Sequence, residues 1–421
     1  MLKKIKSLLK TLGPGFITGA SDDDPSGIAT YAQTGAQFGY SQLWTALFSF
    51  PFMTVIQEMC GRIGLVTGDG LAGVIRKNYA KPILFGAVFV LLIANTINVG
   101  ADLGAMASSA QLILGIPFFI WLFAIAIGSI ILQILVPYPT YAKFLKYLTL
   151  ALFAYIITAF IIHQDWTKIA LATFLPSFSF KKEYLMNIVA ILGTTISPYL
   201  FFWEADEEVE EEIEEGKMQA IGRGRPRIRG VDIREMRLDT IIGMFFSQLV
   251  MFFIIVTTAS TLFPHGITNI QTADQAAVAL RPLAGNFAYL LFAAGIIGTG
   301  LLAVPILAGS AAYALAESFK WKAGLSKKFH QAKAFYITIA VITLVGLVVN
   351  FLPIKPFTLL YYTAVLNGIC SPILMILILL VGNNKNIMAN HTNSRFSNVM
   401  GWIIVVVMGV SALALLWSFI K

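Results

Sequence analysis

The chain has 421 residues, of which 57% are hydrophobic and only 12% are charged, and its mean hydropathy is +0.77. Apolar runs of about 20 residues, the length that spans a bilayer, follow one another almost end to end. This excludes a soluble protein and predicts a multi-pass membrane protein with an all-α core. The formal net charge is +8, which we interpret as a sign of membrane orientation and not of nucleic-acid binding.

We predict about eleven transmembrane helices. Their approximate bounds are 14–38, 42–65, 83–108, 117–137, 145–163, 185–203, 239–262, 286–315, 334–352, 356–381 and 399–420. The eighth run is long enough to hide a second short segment, so the predicted number of spans is eleven, to within about one. We treat the whole chain as a single transmembrane domain embedded in the lipid bilayer.

The basic residues predict the orientation of the spans. If the N-terminus is cytoplasmic, the inner loops hold 24 of the 30 Lys and Arg residues, as the positive-inside rule requires. We therefore expect a plasma-membrane protein with a cytoplasmic N-terminus and an external C-terminus. The basic stretch Met1–Thr11 would also suit a signal peptide, but no A-x-A cleavage site follows it, so we expect a retained first span.

The inventory of soft ligands is short. Cys60 and Cys370 lie in or near separate spans, and the four histidines fall in loops or at span ends. This excludes a thiolate or imidazole metal site inside the membrane, so any bound cation is expected to have oxygen ligands. No nucleophile–base pair, phosphate loop or metal triad is found, and we predict neither an enzyme nor a cofactor.

Three consecutive carboxylates interrupt the first apolar run. Asp22, Asp23 and Asp24 are followed at once by Pro25, Ser26 and Gly27. A carboxylate at bilayer depth costs roughly 2.5–3.5 kcal/mol on insertion scales, and the proline and glycine loosen the helix beside it. Unwound backbone at that depth survives where it lines a cavity, so this cluster predicts a cation site.

The sixth apolar run carries a second interruption, at 193–199. Its pair Ser197-Pro198 lies at a point of the run comparable to that of Asp24-Pro25 in the first. A single transmembrane proline most often marks a kink, but paired breaks in corresponding helices predict an inverted-repeat transporter with its substrate site between them. We place the first repeat at about 11–165, the second at about 185–382, and an extra span at 399–420.

The segment 204–237 breaks the apolar pattern. Nine carboxylates occur in the twelve residues Glu204–Glu215, and a basic stretch follows. We interpret the segment as a solvated cytoplasmic connector whose acidic half extends the sixth span as a charged helix. It would also serve as a vestibule that concentrates divalent cations at the pore exit.

Three motifs resemble the Nramp metal-ion transporters. They are G-P-G-F-I-T-G…D-P in the first span, R-I-G-L-V-T-G at 62–68 closing the second, and Ala101-Asp102-Leu103 in the third. The resemblance implies a LeuT-like fold of eleven spans, in which helices 1 and 6 are broken and hold a divalent cation between them. It also implies import into the cytoplasm by alternating access.

Two departures from the family pattern bear on the ion. The usual Asp-Pro-Gly-Asn reads Asp24-Pro25-Ser26-Gly27 here, and Ser197 and Tyr199 stand where the family has Met and His around the proline of the sixth span. A thioether favours transition metals, whereas an all-oxygen site suits Mg²⁺, which keeps several waters. The pattern resembles the Nramp-related magnesium transporter branch, so we expect transport of Mg²⁺, and also of Mn²⁺.

Each candidate metal residue has an expected role. Asp24 would supply the anionic ligand, and Thr194 and Ser197 would offer hydroxyl or carbonyl oxygens, directly or through water. Gly27 stands where a side-chain ligand would otherwise be. Asp22 and Asp23 point away from the face of Asp24 and are secondary: they would attract the ion or cap the broken helix, and direct coordination of the metal by Asp23 is the alternative. Asn367 in the tenth span is an additional candidate ligand, and an interhelical hydrogen bond is its alternative role.

Proton coupling needs titratable groups inside the membrane. Asp102 matches a family acid and is either a proton site or a buried structural acid, while Tyr199 replaces the family histidine and stays neutral at physiological pH. We therefore predict weak or absent coupling along a path through Asp102 and Tyr199. The membrane potential would drive uptake, at about 2.3 kcal/mol per charge per 100 mV.

Other transport modes remain open at this stage. A proton-coupled Mn²⁺/Fe²⁺ symporter shares the fold, and a sodium-coupled amino-acid or amine transporter also uses broken first and sixth helices. A channel is a third class, with little need for paired helix breaks. We expect a monomer, and we interpret Glu58 beside Arg62 as a structural ion pair.

Overall fold

The computed structural model describes residues 13–136, 149–226 and 228–419, which form helices and connecting loops without β-strands. The basic stretch Met1–Thr11 and the junction of the predicted fourth and fifth spans lie outside the described residues. In the first half of the chain the α-helices are α1 Pro14–Asp22, α2 Pro25–Phe38, α3 Trp44–Thr67, α4 Leu71–Asn78, α5 Lys81–Leu114, α6 Phe118–Leu135, α7 Phe153–Ile161 and α8 Trp166–Phe174.

The second half of the chain repeats the pattern of a broken helix followed by long apolar helices. Its elements are α9 Lys182–Thr195, α10 Pro198–Glu214, α11 Gly230–Thr261, α12 Ala273–Ala277, α13 Arg281–Ala284, α14 Ala288–Phe319, α15 Lys333–Val348, α16 Pro356–Asn383, α17 Lys385–Met388 and α18 Arg395–Trp417.

Eight helical segments of the described residues are long and apolar enough to cross a membrane. They correspond to the predicted third, fourth and sixth to eleventh spans. The predicted first span is the pair α1 and α2, the second is the 24-residue α3, and the described part of the fifth contains α7. An all-α membrane fold is thus confirmed, while the number eleven stays a prediction.

Large apolar side chains cover the outside of the bundle. Phe119, Ile120 and Phe123 on α6 and Val406 and Val410 on α18 are 46–59% exposed to solvent. An apolar surface of this extent is unusual on a soluble monomer. It is the surface expected where helices face lipid.

The same local chemistry breaks the first and the sixth span. Asp24 and Ser197 are extended, with ψ angles of 171° and 137°, because the residue before a proline avoids the helical region. Pro25 and Pro198 then occupy the first position of α2 and α10, where the missing N–H costs nothing. Both predicted breaks are present in the structure.

Glycines let the broken helices approach their neighbours without a gap. A Cβ on Gly19 of α1 would lie 2.3 Å from the backbone of Gly243 on α11, and a Cβ on Gly193 of α9 would lie 2.3 Å from the backbone nitrogen of Gly368 on α16. Contact between helix backbones is typical of small residues at membrane helix interfaces. It places both breaks inside the bundle.

Candidate cation site where the two broken helices meet

Asp24 is the polar centre of the first break. Its side chain is 1% exposed and caps α2: Oδ1 accepts hydrogen bonds from the Gly27 backbone N–H and the Ser26 hydroxyl, both at 2.7 Å. Oδ2 accepts a bond of 3.0 Å from Nδ2 of Asn98. Asp is a favoured N-cap residue because its carboxylate satisfies the orphan amides of the first turn. The carboxylate is therefore buried, oriented and fixed.

Asn98 is a site residue that the sequence reasoning missed. It lies on α5, and its Nδ2 is 3.0 Å from Asp24 Oδ2 and 3.5 Å from Asp102 Oδ2. Its own Oδ1 and the Oδ1 of Asp102 are buried without a hydrogen-bond partner among the described residues. Asn98 thereby links the predicted proton site Asp102 to Asp24. Its spacing of four residues from Asp102, which puts both on one helix face, was the available signal.

Asp22 and Asp23 turn away from the partners of Asp24. The hydroxyl of Ser247 on α11 donates a 2.6 Å hydrogen bond to Asp22 Oδ2 and lies 3.5 Å from Asp23 Oδ1. Asp24 instead faces α5 through Asn98. Both secondary aspartates are buried, and the contacts separate them from the side of the break that Asp24 occupies.

The second break keeps its polar groups inside the protein. The Ser197 hydroxyl is 2.7 Å from the carbonyl oxygens of both Gly193 and Thr194. Ser371 of α16 donates a hydrogen bond of 2.6 Å to the Ile196 carbonyl. A helix end leaves up to four carbonyls without intrahelical partners, and these two hydroxyls satisfy three of them.

Two tyrosine hydroxyls join the breaks to each other. Thr194 donates a 3.0 Å hydrogen bond to the hydroxyl of Tyr31 on α2. The hydroxyl of Tyr199, at the start of α10, donates a 2.9 Å bond to the carbonyl of Ser21 at the end of α1. Residues of the first and the sixth span are thus in direct contact on both sides of the interruption.

Gly27 and Asn367 add space and polarity. A Cβ on Gly27 would lie 3.1 Å from the Asp22 carbonyl oxygen and 3.5 Å from Asp24 Oδ1, so any side chain here would enter the break. Asn367 on α16 is 2% exposed, and its Nδ2 has no hydrogen-bond partner among the described residues. The alternative role of Asn367, an interhelical hydrogen bond through this amide, is therefore not observed in the described part of the chain.

No three His, Cys, Asp or Glu side chains of the described residues converge closely enough to hold a metal ion. Asp24 accepts three hydrogen bonds from protein donors, and the hydroxyls and carbonyls of the second break already have partners. The arrangement offers one anchoring carboxylate among neutral oxygen atoms. Such a site suits a cation that keeps much of its water shell.

The carboxyl-rich end of the sixth span is helical, as predicted, but its first part is buried. Glu204 and Asp206 are fully buried on α10, and Glu208 is 3% exposed. Glu204 accepts a 2.5 Å hydrogen bond from Thr18 of α1 and a 3.2 Å bond from Thr240 of α11. The prediction of a solvated connector is wrong for this part of 204–237, because α10 packs its acidic turns against three neighbouring helices.

The two ends of the bundle differ. The end formed by α1 and α10 is packed closed through Glu204 and the glycine contacts of α1 with α11. At the other end, α2, α9 and α16 border a cavity of about 380 Å³ whose polar lining includes Gln33, Gln37 and Asn269. In the predicted orientation the end packed through Glu204 faces the cytoplasm.

Buried breaks in two corresponding membrane helices, with a fixed carboxylate at one of them, define a secondary transporter of the LeuT-like class. The solved structures agree on the fold. A manganese transporter of Eremococcus coleocola superposes with a TM-score of 0.79 at 17% identity, covering 97% of this chain and 86% of that one. The inward-facing structure of Mhp1 gives a TM-score of 0.55 at 13% identity, covering 97% and 91%.

The chain belongs to the Nramp family, since the family described as natural resistance-associated macrophage protein-like matches residues 15–418. Among curated relatives, the divalent metal cation transporter MntH of Klebsiella pneumoniae (strain 342) is 25% identical over 96% of this chain and 92% of its own length. MntH of Clostridium acetobutylicum is 24% identical over 96% and 89%. Membership in this family of transporters confirms the resemblance and the prediction that the chain is not an enzyme.

Proposed function

We propose that this chain imports divalent metal cations by alternating access, with Mg²⁺ as its preferred substrate and Mn²⁺ as a second one. The observation that carries the proposal is the buried, hydrogen-bonded carboxylate of Asp24 at the point where the two broken helices meet. The relatives named as divalent metal cation transporters span nearly the whole chain, which supports the substrate class.

The preference for Mg²⁺ rests on the chemistry around Asp24. Its hydrogen-bond partners are a hydroxyl, a backbone amide and a carboxamide, and hydroxyls stand at the second break in Ser197 and Tyr199. No thioether or imidazole contacts Asp24 among the described residues. Soft ligands select transition metals, whereas Mg²⁺ prefers oxygen and dehydrates reluctantly. The ion would therefore sit at Asp24 with several waters, and Thr194, Ser197 and Asn367 would bind through them.

Proton coupling is weak or absent in this proposal. Tyr199 takes the place of the family histidine, and its hydroxyl is engaged with Ser21. An inside-negative potential supplies about 4.6 kcal/mol per 100 mV for a divalent ion, twice the value for a single charge. That driving force is sufficient for uptake without protons.

A proton-coupled Mn²⁺/Fe²⁺ symporter is the second candidate, and one observation favours it. Asp102 and Asp24 approach the same amide nitrogen of Asn98, at 3.5 and 3.0 Å. A second buried carboxyl this close to the proposed cation site can take up a proton when the cation binds at Asp24. The two candidates differ in whether protons cross the membrane together with the metal ion.

Uptake into proteoliposomes with an internal pH dye decides between them. Vesicles with an imposed inside-negative potential receive Mg²⁺ or Mn²⁺ outside, and protein-free vesicles serve as the control. The proposal predicts saturable Mg²⁺ entry with no acidification beyond the control. Acidification that tracks the flux, together with exclusion of Mg²⁺ in favour of Mn²⁺, would establish the symporter instead. Protease digestion of a tag at either terminus in intact cells tests the proposed plasma-membrane orientation, and cross-linking tests the proposed monomer.

A further inference from the structure

Two acidic helix faces meet at the closed end of the bundle. On α10, four carboxyl groups at Glu208, Glu211, Glu212 and Glu215 recur with the spacing that puts them on one face. On α11, Asp232, Glu235 and Asp239 do the same. All seven line one cavity of about 180 Å³, together with Gly13 at the start of α1.

The cations in this cavity lie at one end of it. Lys217 contacts Glu212 at 2.9 Å, Glu215 at 2.7 Å and Asp232 at 3.5 Å, and Arg229 pairs with Asp232 at 2.9 Å. Among the described residues, seven carboxyl groups and two basic groups thus line the cavity. Like charges brought together in a partly buried space repel strongly, and a cation bound in the cavity would relieve this repulsion.

Two buried carboxylate oxygens in the lining have no partner. Glu212 is 3% exposed and Asp239 is 5% exposed, yet Oε2 of Glu212 and Oδ1 of Asp239 accept no hydrogen bond among the described residues. Glu208, 3% exposed, also lines the cavity. A buried acceptor without a donor is costly, and these acceptors point to an occupant that supplies positive charge or water.

The size of the cavity fits a hydrated ion. No three of the acidic side chains come close enough to coordinate a bare metal among the described residues. A single water needs only about 10–15 Å³ of such space, so a cavity of about 180 Å³ accommodates a cation with its water shell. Mg²⁺ keeps its waters readily, and carboxylates bind the hydrated ion through them.

We infer that this cavity is a second divalent-cation site, which binds hydrated Mg²⁺ from the cytoplasm and holds the inner end of the transporter closed. It rests on the proposed function, which supplies both the ion and the orientation. The cavity lies outside the break that holds Asp24, and it makes the transporter responsive to its own product.

Asp239 provides the connection to the moving part. Its Oδ2 accepts a hydrogen bond of 3.3 Å from the Phe16 backbone N–H at the start of α1. Asp239 also lines the cavity, and its Oδ1 has no hydrogen-bond partner among the described residues. The carboxylate of Glu211 lies 3.2 Å from the position that a Cβ of Gly13 would take. A bound cation cancels the repulsion between α10 and α11 and stabilises their contact with α1, which must separate for the inner end to open.

The first test measures binding without transport. In purified Asp24→Asn protein the proposed transport site is disabled, and binding of Mn²⁺ is followed by loss of its electron paramagnetic resonance signal, with Mg²⁺ as competitor. We expect one remaining site that Mg²⁺ displaces. Adding Glu208→Gln and Glu212→Gln should abolish it, whereas adding Glu214→Gln, an exposed residue of the same helix outside the cavity, should not. Unchanged Mn²⁺ binding after the double substitution, or no binding in Asp24→Asn protein, would overturn the inference.

The second test measures the effect on transport. Internal Mg²⁺ at ten times its dissociation constant should slow initial Mn²⁺ entry about tenfold, by the linkage of binding to the closed state. In the Glu208→Gln/Glu212→Gln protein, uptake should no longer depend on internal Mg²⁺, and Glu214→Gln should behave like the unaltered protein. Equal inhibition in all three would refute the regulatory role. If the unaltered protein transports no divalent cation, the proposed function fails, and the binding test still decides the cavity.

Discussion

Replacing Gly19 by alanine should loosen the closed inner end. The new Cβ would lie 2.3 Å from the carbonyl carbon and oxygen of Gly243, whereas Cβ atoms essentially never approach closer than 3.0 Å. The backbones of α1 and α11 must therefore separate by at least about 0.7 Å. Overpacking of this kind costs about 1–3 kcal/mol. If the cost falls on the closed state alone, the inner-open population rises roughly 5–150-fold.

Cysteine accessibility measures this shift. Ser21 of α1 is 1% exposed, and Ser21→Cys in a background without Cys60 and Cys370 would report on the inner path through its reaction with a membrane-impermeant maleimide. Gly19→Ala should speed labelling from the cytoplasmic side at least several-fold. The matched control is Gly86→Ala, because no atom lies within 4 Å of the added Cβ there. Equal labelling rates in the two variants would refute the argument that close α1–α11 packing keeps the inner end shut.

Three further substitutions test the contacts around the site and the helix ends. Asn98→Ala removes a hydrogen bond to the carboxylate of Asp24, a contact worth about 1.5–3 kcal/mol, and should lower kcat/KM for Mg²⁺ uptake roughly 10–150-fold. Arg62→Met breaks an ion pair that is 3% exposed on the arginine side and should reduce the free energy of unfolding in detergent by about 3 kcal/mol. Burial raises the pKa of Asp69 above its ordinary 3.8, although Lys77 opposes the shift. Its contribution to stability is therefore lost as pH rises through the folded pKa, and Asp69→Asn should flatten the fall of the melting temperature between acidic and neutral pH.

Controls for these variants come from neighbouring residues. Asn95→Ala, one turn away on α5, removes hydrogen bonds to Leu307 and Ser310 but none to Asp24, so it should leave KM unchanged. If Asn95→Ala lowered kcat/KM as much as Asn98→Ala, the effect of Asn98→Ala would come from general damage to the protein. Arg237→Met removes a half-exposed partner of Glu58 and should cost about 0–1 kcal/mol. A loss as large as that of Arg62→Met would contradict the role assigned to burial. If the melting temperature of Asp69→Asn protein depends on pH in the same way as that of the unaltered protein, the pKa of the Asp69 carboxyl is not raised.

Features that depend on neighbours in the sequence were predictable. Asp24-Pro25 and Ser197-Pro198 break their helices because a residue before proline prefers an extended backbone. This steric effect involves only two neighbouring residues, so the sequence alone reveals it. The pair Glu58 and Arg62 lies four residues apart on one helix, and the structure shows its bond of 3.0 Å.

Features that depend on distant segments were not predictable. Asn98 reaches Asp24 across 74 residues of sequence, and only the packing of α5 against the first break brings them together. The burial of Glu204 and Asp206 is a second example, because a carboxyl-rich segment is ordinarily solvated. Its packing against α1 and α11 is decided by tertiary contacts such as that with Thr18.

Mg²⁺ uptake by Asp24→Ala protein under an imposed membrane potential tests the central claim most directly, with Asp22→Ala as the matched control on the other side of the break. Flux in Asp24→Ala should fall to the level of protein-free vesicles, because the proposed anionic ligand of the cation is gone. Asp22→Ala, which loses its contact with Ser247, should retain saturable uptake. Mg²⁺ flux that is unchanged in Asp24→Ala would contradict the assignment of the transport site.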